Sequence, residues 1–261
     1  MKRSQNFMIS KELILKEVET LAPLPQEDVL EIGSGHGELT LELARRANHV
    51  IALELDRDLV QQGPRISPNN VSWIQADALK FELKTVSAVI SNVPYHISSA
   101  LVFKLLLWGG FGRALLVLQK EFAERLVALP GSPNYGRLSV TFQLLSKAQL
   151  LFDVPPWAFS PKPKVWSSAV MVYPLNGDAR ALAPDLKTFT AIIFSQKNKM
   201  ARGVLLRSGL LMPREDQEEP LSKMRLDTRR IRQLSPEEVL TLLTYVKNRH
   251  RLPQADEETG S

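Results

Sequence analysis

No cysteine occurs anywhere in the 261 residues. That absence excludes disulfides, a thiol nucleophile and Cys-ligated zinc or iron–sulfur centres. Histidine is nearly as scarce, with four scattered copies, so no metal site is expected. Long apolar runs are missing too. The longest candidate, Ala100 to Trp108, contains Lys104 and falls well short of the roughly 20 residues that span a bilayer. The first residues, Met1 to Asn6, lack the apolar core of a signal peptide. A cytoplasmic monomer without a membrane segment is the expectation. What is present is ordinary for a globular protein: 44% hydrophobic and 23% charged residues, in a chain long enough for one large domain and one small one.

The net charge of +5 is unevenly spread. Residues 190–251 hold 13 Lys or Arg against 7 Asp or Glu, whereas residues 1–189 hold 20 against 18. A basic face on a small helical module points to phosphate backbones, against the blander reading of a solvated surface. Lys197, Lys199, Arg202, Arg229 and Arg230 are the candidate RNA-binding residues.

The first two-thirds of the chain alternate short apolar runs with helical patterns, the signature of a parallel α/β sheet. Expected strands are Val29–Ile32, Val50–Glu54, Val71–Gln75, Ala88–Ser91, Ala114–Leu118, Gln149–Phe152 and Ala169–Tyr173. Helical patterns fall at 38–47, 99–108 and 120–129. The stretch from Val154 to Val165 holds four prolines and is expected to be irregular. Beyond Pro174 to Asp178 the strand signal stops, and 186–194, 199–206 and 236–245 read as helices. The last begins with a Ser235-Pro236-Glu237-Glu238 capping box. The expected organisation is a catalytic domain over 1–175, a basic helical RNA-binding domain over 176–254 and a disordered tail over 255–261.

Two motifs at strand ends carry chemistry. Asn92-Val93-Pro94-Tyr95 follows the apolar run Ala88-Val89-Ile90. The exocyclic amine of adenine is a poor nucleophile, because its lone pair is delocalised into the ring. A carboxamide oxygen (Asn92) and a backbone carbonyl (Val93 or Pro94) can accept its two N–H bonds and draw the nitrogen toward a reactive geometry. Pro94 holds those carbonyls rigid, and Tyr95 can stack on the base. An ordinary Asn-Pro turn is the plainer alternative. The second motif, Gly33-Ser34-Gly35-His36-Gly37-Glu38, joins a strand to a helix. Glu38 stands where the dinucleotide fingerprint has its third glycine, which suits a ligand without a pyrophosphate, such as S-adenosylmethionine. Glu54 ends the second strand and can accept ribose hydroxyls. Asp77 can accept from an adenine amine, while Ala78 offers a backbone N–H. Successive strand ends thus bring Gly33, Glu54, Asp77 and Asn92 to one edge, where ligands of such sheets bind.

With these residues in place, the chain resembles the KsgA-type family of small-subunit rRNA adenine dimethyltransferases over nearly its whole length. Gln5-Asn6-Phe7-Met8 is similar to the family's Q-N-F-L segment. Glu31-Ile32-Gly33-Ser34-Gly35 is similar to its E-I-G-x-G loop, and Glu54-Leu55-Asp56 to its E-x-D strand end. Asn92-Val93-Pro94-Tyr95 resembles its N-L-P-Y motif, and Phe159 to Ser167 its F-x-P-x-P-x-V-x-S loop. The resemblance implies an α/β fold: a Rossmann-like S-adenosylmethionine-dependent methyltransferase sheet with a small C-terminal helical domain. It implies S-adenosylmethionine held by Gln5, Asn6, Met8, Gly33, Gly35, Glu54, Leu55, Asp77, Ala78 and Asn92. It implies catalysis by Asn92, Pro94, Tyr95 and Phe159, with Tyr95 and Phe159 sandwiching a flipped adenine. Small-subunit rRNA is the implied partner, dimethylated on two adjacent adenosines near its 3′ end. Departures are mild: Ser4 for Gly, Ser34 for Pro, Met8 and Val93 for Leu, and His96 for Asn or Gln.

Three alternatives remain open in the sequence. One is the related large-subunit methyltransferase that confers macrolide resistance. Another is an assembly factor that keeps the fold for binding. The third is a DNA adenine methyltransferase, for whose recognition domain the chain has little room. Gln196 to Arg202 and Leu226 to Ser235 resemble the C-terminal segments of the small-subunit family, and favour the first reading.

Overall fold

The computed structural model describes residues 6–175 and 178–252. Gln5 and the tail from 255 lie outside them. Of the described residues, those up to Glu124 together with Ser146–Pro174 form one compact unit. Arg125–Leu145 and the described residues from Leu175 onward form a second. The segment 125–145, read from sequence as part of the first domain, therefore clusters with the basic C-terminal region.

The first unit is built from β1 (Phe7–Met8), α1 (Lys11–Leu21), β2 (Asp28–Ile32), α2 (Glu38–Ala44), β3 (His49–Glu54) and α3 (Arg57–Ile66). It continues through β4 (Val71–Gln75), β5 (Val86–Asn92), α4 (Ser98–Trp108), β6 (Phe111–Gln119) and α5 (Lys120–Leu126). After α6 (Arg137–Leu145), which belongs to the second unit, come β7 (Ser146–Val154), β8 (Phe159–Ser160) and β9 (Ser167–Pro174). Seven strands form one sheet in the order β4-β3-β2-β5-β6-β9-β7. β4 to β6 are parallel, with Leu30 beside Ile51 and Val89. All seven expected strands are present. The purely parallel sheet is not: β9 runs antiparallel to both β6 and β7. Its apolar run looks the same in either direction, so the pattern could not show the reversal.

From β2 the chain builds one side of the sheet through β3 and β4, then crosses back to β5 on the other. Side by side, the carboxyl ends of β2 and β5 make the crevice that such a switch leaves open. Each strand carries an apolar run, and Val29, Ala88, Val89 and Ile90 are fully buried, as expected where helices cover both faces.

One helix that the sequence reading lacked matters most. α1 is capped at its start by Ser10, whose side chain accepts from the Leu13 N–H, and it ends at Ala22 in a left-handed conformation. Its inward stripe is Ile14, Glu17, Val18 and Leu21 at helical spacing. Three of these join the apolar core with Met8, Leu43 and Ile90; the fourth is an acid with no exposed surface. The orphan carbonyls at the helix end, Leu21 and Ala22, accept from Arg113 of β6 at 2.8 and 2.9 Å. Arg113 also forms a two-pronged pair with Glu27, at 2.9 and 2.6 Å.

The proline-rich stretch is not wholly irregular. Pro156–Ala158 form a 3-10 turn, and β8 pairs antiparallel with β1, placing Met8 opposite Phe159. The second unit holds α6, α7 (Asp178–Ala181), α8 (Ala183–Phe194), α9 (Ala201–Arg207) and α10 (Pro236–Lys247). Its ties include Tyr135 donating to the Leu234 carbonyl at 2.7 Å and the Ser235–Glu238 capping box.

Candidate active site

The glycine-rich turn after β2 is held by its neighbours. Gly33, Gly35 and Gly37 all have positive φ, which side chains disfavour. Glu54, buried at the end of β3, accepts from the Gly35 N–H at 2.9 Å and from the Leu55 and Asp56 N–H groups at 2.7 and 3.0 Å. A carboxylate offers about four acceptor sites. Three are taken by backbone, so one remains for a ribose hydroxyl unless an amide is released. Asp77 divides its carboxylate similarly, one oxygen accepting from the Leu79 N–H at 2.9 Å.

At the end of β5, the Asn92 amide donates through Nδ2 to Oε2 of Glu17 at 3.1 Å. Its Oδ1 is buried and has no partner among the described residues. The Pro94 carbonyl accepts from the Ile97 N–H at 3.0 Å and from Ser98 Oγ at 3.5 Å. No bond to the Val93 carbonyl is present among the described residues. The free acceptors of the motif are therefore Asn92 Oδ1 and Val93 O.

Two buried acids accompany Asn92, Glu17 bonded to it and Glu31 beside it in a small pocket, and the reading of motifs missed them as a pair. Glu17 is fully buried, and burial pushes its pKa up to about 8 against the lowering effect of the Asn92 bond. Glu31, on β2, is also pushed up to about 8, by burial first and then by the charges of Glu17, Glu54 and Glu38, while Thr40 donates to it at 2.5 Å. The signal that could have found Glu17 is an acid inside the apolar stripe of α1.

The aromatic walls are positioned from below. Tyr95 is half-buried and its hydroxyl bonds Ser167 Oγ of β9 at 2.8 Å; burial raises its pKa. Phe159 is only 5% exposed and packs in the core cluster with Met8 and Ile14, while one part of it reaches the cleft. β1 straps the glycine loop. The Phe7 ring lies 4.6 Å from His36, and a Cβ on Gly35 would come within 2.8 Å of Phe7 Cδ1. Gly35 thus serves the strap as well as the turn.

These pieces meet in one cleft enclosing about 950 Å³, its open mouth included. Asn6, Gly33, Glu54, Leu55, Asp77 and Ala78 line it. So do Asn92, Pro94, Tyr95 and Phe159. An adjoining smaller pocket is lined by Met8 and Gly35, with Asn6, Gly33 and Asn92 shared between the two. The residues present suit S-adenosylmethionine: a glycine turn, an acid at the next strand end with an open acceptor site, and an unpartnered buried carboxamide oxygen. Among the described residues no cluster of metal-ligating side chains occurs, and no helix is long and apolar enough to cross a membrane.

The five basic candidates in the second unit differ among themselves. Lys199 and Arg230 are exposed, and Arg230 donates one N–H to the Asn198 carbonyl. Lys197 is half-buried, with its ammonium 3.5 Å from the Tyr135 carbonyl. Arg202 pairs with Asp216 at 2.8 Å. Arg229 makes a two-pronged pair with Glu238 and also reaches the Met224 and Gln233 carbonyls.

A parallel sheet with one reversed strand, and a cleft at its switch point lined by the strand-end residues, define the Rossmann-like methyltransferase fold. A dimethyladenosine transferase from Plasmodium falciparum has a similar structure, with a TM-score of 0.77 and 26% identity over 94% of this chain and 98% of that one. The 23S rRNA methyltransferase ErmE is similar at a TM-score of 0.67 and 26% identity, over 93% of this chain and all of that one. A ribosomal RNA small subunit methyltransferase A from Aromatoleum aromaticum is 40% identical over 208 residues, covering 77% of this chain and 78% of the relative. A probable enzyme of the same description from Pyrococcus furiosus is 36% identical over 94% of this chain and 91% of its own. The model of the ribosomal RNA adenine dimethylase family matches residues 1–248. The chain belongs to that family, and is an S-adenosylmethionine-dependent rRNA adenine dimethyltransferase.

Proposed function

We propose that this enzyme dimethylates the exocyclic N6 of two adjacent adenosines near the 3′ end of small-subunit rRNA, in ribosome biogenesis. The relatives named for the small subunit support that substrate. The observation that carries the site assignment is the buried, unpartnered Oδ1 of Asn92 in the wall of the cleft.

The residues divide the work as follows. Gly33, Glu54, Leu55, Asp77 and Ala78 hold the nucleoside part of the cofactor, and Asn6, Met8 and Gly35 its remainder. When bound, S-adenosylmethionine supplies an electrophilic methyl group. Tyr95 and Phe159 flank the flipped adenine, and stacking offsets its lost neighbours by about 1–3 kcal/mol per base. Asn92 Oδ1 and Val93 O accept the two N6–H bonds, Pro94 keeping the second acceptor rigid. The groups position reactants and polarise the amine, so no strong general base is required. The exposed charges of the second unit, Lys199 and Arg230 foremost, then Lys197, Arg202 and Arg229, attract the RNA backbone.

The test is methyl transfer from labelled S-adenosylmethionine to under-methylated small subunits and, in parallel, to large subunits, followed by mapping of the modified base. Dimethyladenosine near the 3′ end of the small-subunit rRNA is expected. Label confined to large-subunit rRNA would move the protein to the other branch of its relatives. Tight subunit binding without label would make it an assembly factor.

A further inference from the structure

Asn92 is useful to the proposed reaction only if its oxygen, and not its nitrogen, faces the target amine. The two ends of a carboxamide are nearly the same size, and its terminal torsion is broad and roughly two-fold. Sterics alone therefore leave the wrong end almost as accessible as the right one. A neighbour whose oxygen already accepts from Nδ2 biases the choice, because turning the amide over breaks that bond and sets two oxygens against each other unless the neighbour also turns its own proton round.

Glu17 is such a neighbour. It projects from the buried stripe of α1, has no exposed surface and takes Asn92 Nδ2 at 3.1 Å. It does not line the cleft, whereas Asn92 does. Its other oxygen, Oε1, has no partner among the described residues. An acid in that position is costly to bury. A cost at a spot whose one polar contact is Asn92 is the pattern of a residue retained for function at the expense of stability.

We propose that Glu17 is a positioning residue for methyl transfer, which holds the Asn92 amide by its nitrogen and so presents Oδ1 to the adenine N6. The proposal rests on the reading of Asn92 as the amine acceptor.

Glu17→Leu, Glu17→Gln and the Asn92→Ala background together separate this role from a structural one. Glu17→Leu is expected to fold and to bind S-adenosylmethionine, yet to show a kcat lower by about tenfold or more, with KM for S-adenosylmethionine and RNA little changed. Glu17→Gln keeps an acceptor oxygen beside Asn92 and, like the neutral acid, a donor at its other end, and is expected to recover most of kcat. In an Asn92→Ala background, Glu17→Leu is expected to change the residual kcat no further. Wild-type kcat in Glu17→Leu would overturn the proposal, as would an undiminished loss in the Asn92→Ala background. Full activity of Asn92→Ala alone would overturn the underlying reading of the site instead.

Discussion

Asn92 has two polar ends, and the fold has committed one of them. Its nitrogen is held by Glu17, and its oxygen is the one polar atom of the carboxamide left open. Replacing it by alanine removes a hydrogen-bond acceptor from the reacting amine, and is expected to lower kcat by about 10²–10³, as losses of comparable donors do elsewhere. Single-turnover methylation with a folded, S-adenosylmethionine-binding variant checks this; unchanged turnover would remove Asn92 from the reaction. The pair beneath it governs stability as well. Glu17 and Glu31 each hold a proton up to about pH 8 in the folded state, by burial first, whereas the unfolded chain releases it in the ordinary carboxyl range. The unfolded state therefore binds fewer protons between those limits, so stability falls as pH rises from about 4.5 toward 8, by up to about 1.4 kcal/mol per unit for each group. Melting followed by circular dichroism across that window is expected to show the slope, and Glu17→Leu is expected to reduce it. Asn92 and its tetrapeptide were legible because the motif is contiguous. Glu17 was not, because its meaning arises only when α1 is laid across β5, 75 residues away.

The elements that carry the site were read from simple periodicities, and the misses have physical causes. Strands β3, β5 and β6 carry apolar runs that end in the polar residues Glu54, Asn92 and Gln119, a pattern that shows both the strand and its ligand-facing end. α1 escaped notice because an acid interrupts its apolar stripe. The β1–β8 pairing joins two residues on each side, one of them inside a proline-rich stretch, and so short a ladder leaves no period to detect. Two predictions belong here. Gly35→Ala must place a Cβ at a φ of +55° and within 2.8 Å of Phe7, so the strap has to move aside. The cost of the conformation alone is about 1–2 kcal/mol, and weaker S-adenosylmethionine binding by calorimetry is the expected result. Binding as tight as in the wild type would show that β1 plays no part in holding the cofactor. Arg113→Ala removes the tie between β6 and the end of α1 and strands Glu27. With side chains only 20% and 16% exposed, that loss is expected to cost about 2–4 kcal/mol in urea unfolding. The Arg113 guanidinium holds the Glu27 carboxyl below its usual range. The pair therefore adds stability above that range and loses it as pH falls through the folded value, the opposite slope to that of the buried acids.

At the scale of the whole molecule, a total charge is a poor guide to which charges meet RNA. The basic segment reads as an excess of six, yet several of its arginines are already answered within the second unit. Arg202 pairs with Asp216, Arg229 with Glu238, and Arg249 and Arg251 with Glu215. Sequence could show the excess but not these pairings, since Arg251 and Glu215 stand 36 residues apart. Nor could it show that 125–145 clusters with the basic region, because that helical pattern sits between two strands of the other unit. The basic residues consequently separate into two groups with different expected phenotypes. Lys199→Ala and Arg230→Ala remove charge that faces water and has no acidic partner among the described residues. They are expected to weaken RNA binding and to lower the slope of log affinity against log salt by about 0.7–0.9 for each phosphate no longer neutralised, leaving the melting temperature unchanged. Arg229→Ala leaves Glu238 and two carbonyls without their donor, and is expected to destabilise the second unit by about 1–3 kcal/mol with a smaller effect on the salt slope. Filter binding to under-methylated small subunits over a salt series, beside thermal melts of the same variants, separates the two. If Arg229→Ala flattens the salt dependence as much as Lys199→Ala does while melting normally, its ion pair is opened by the RNA, and the charge counted from sequence is the charge that binds.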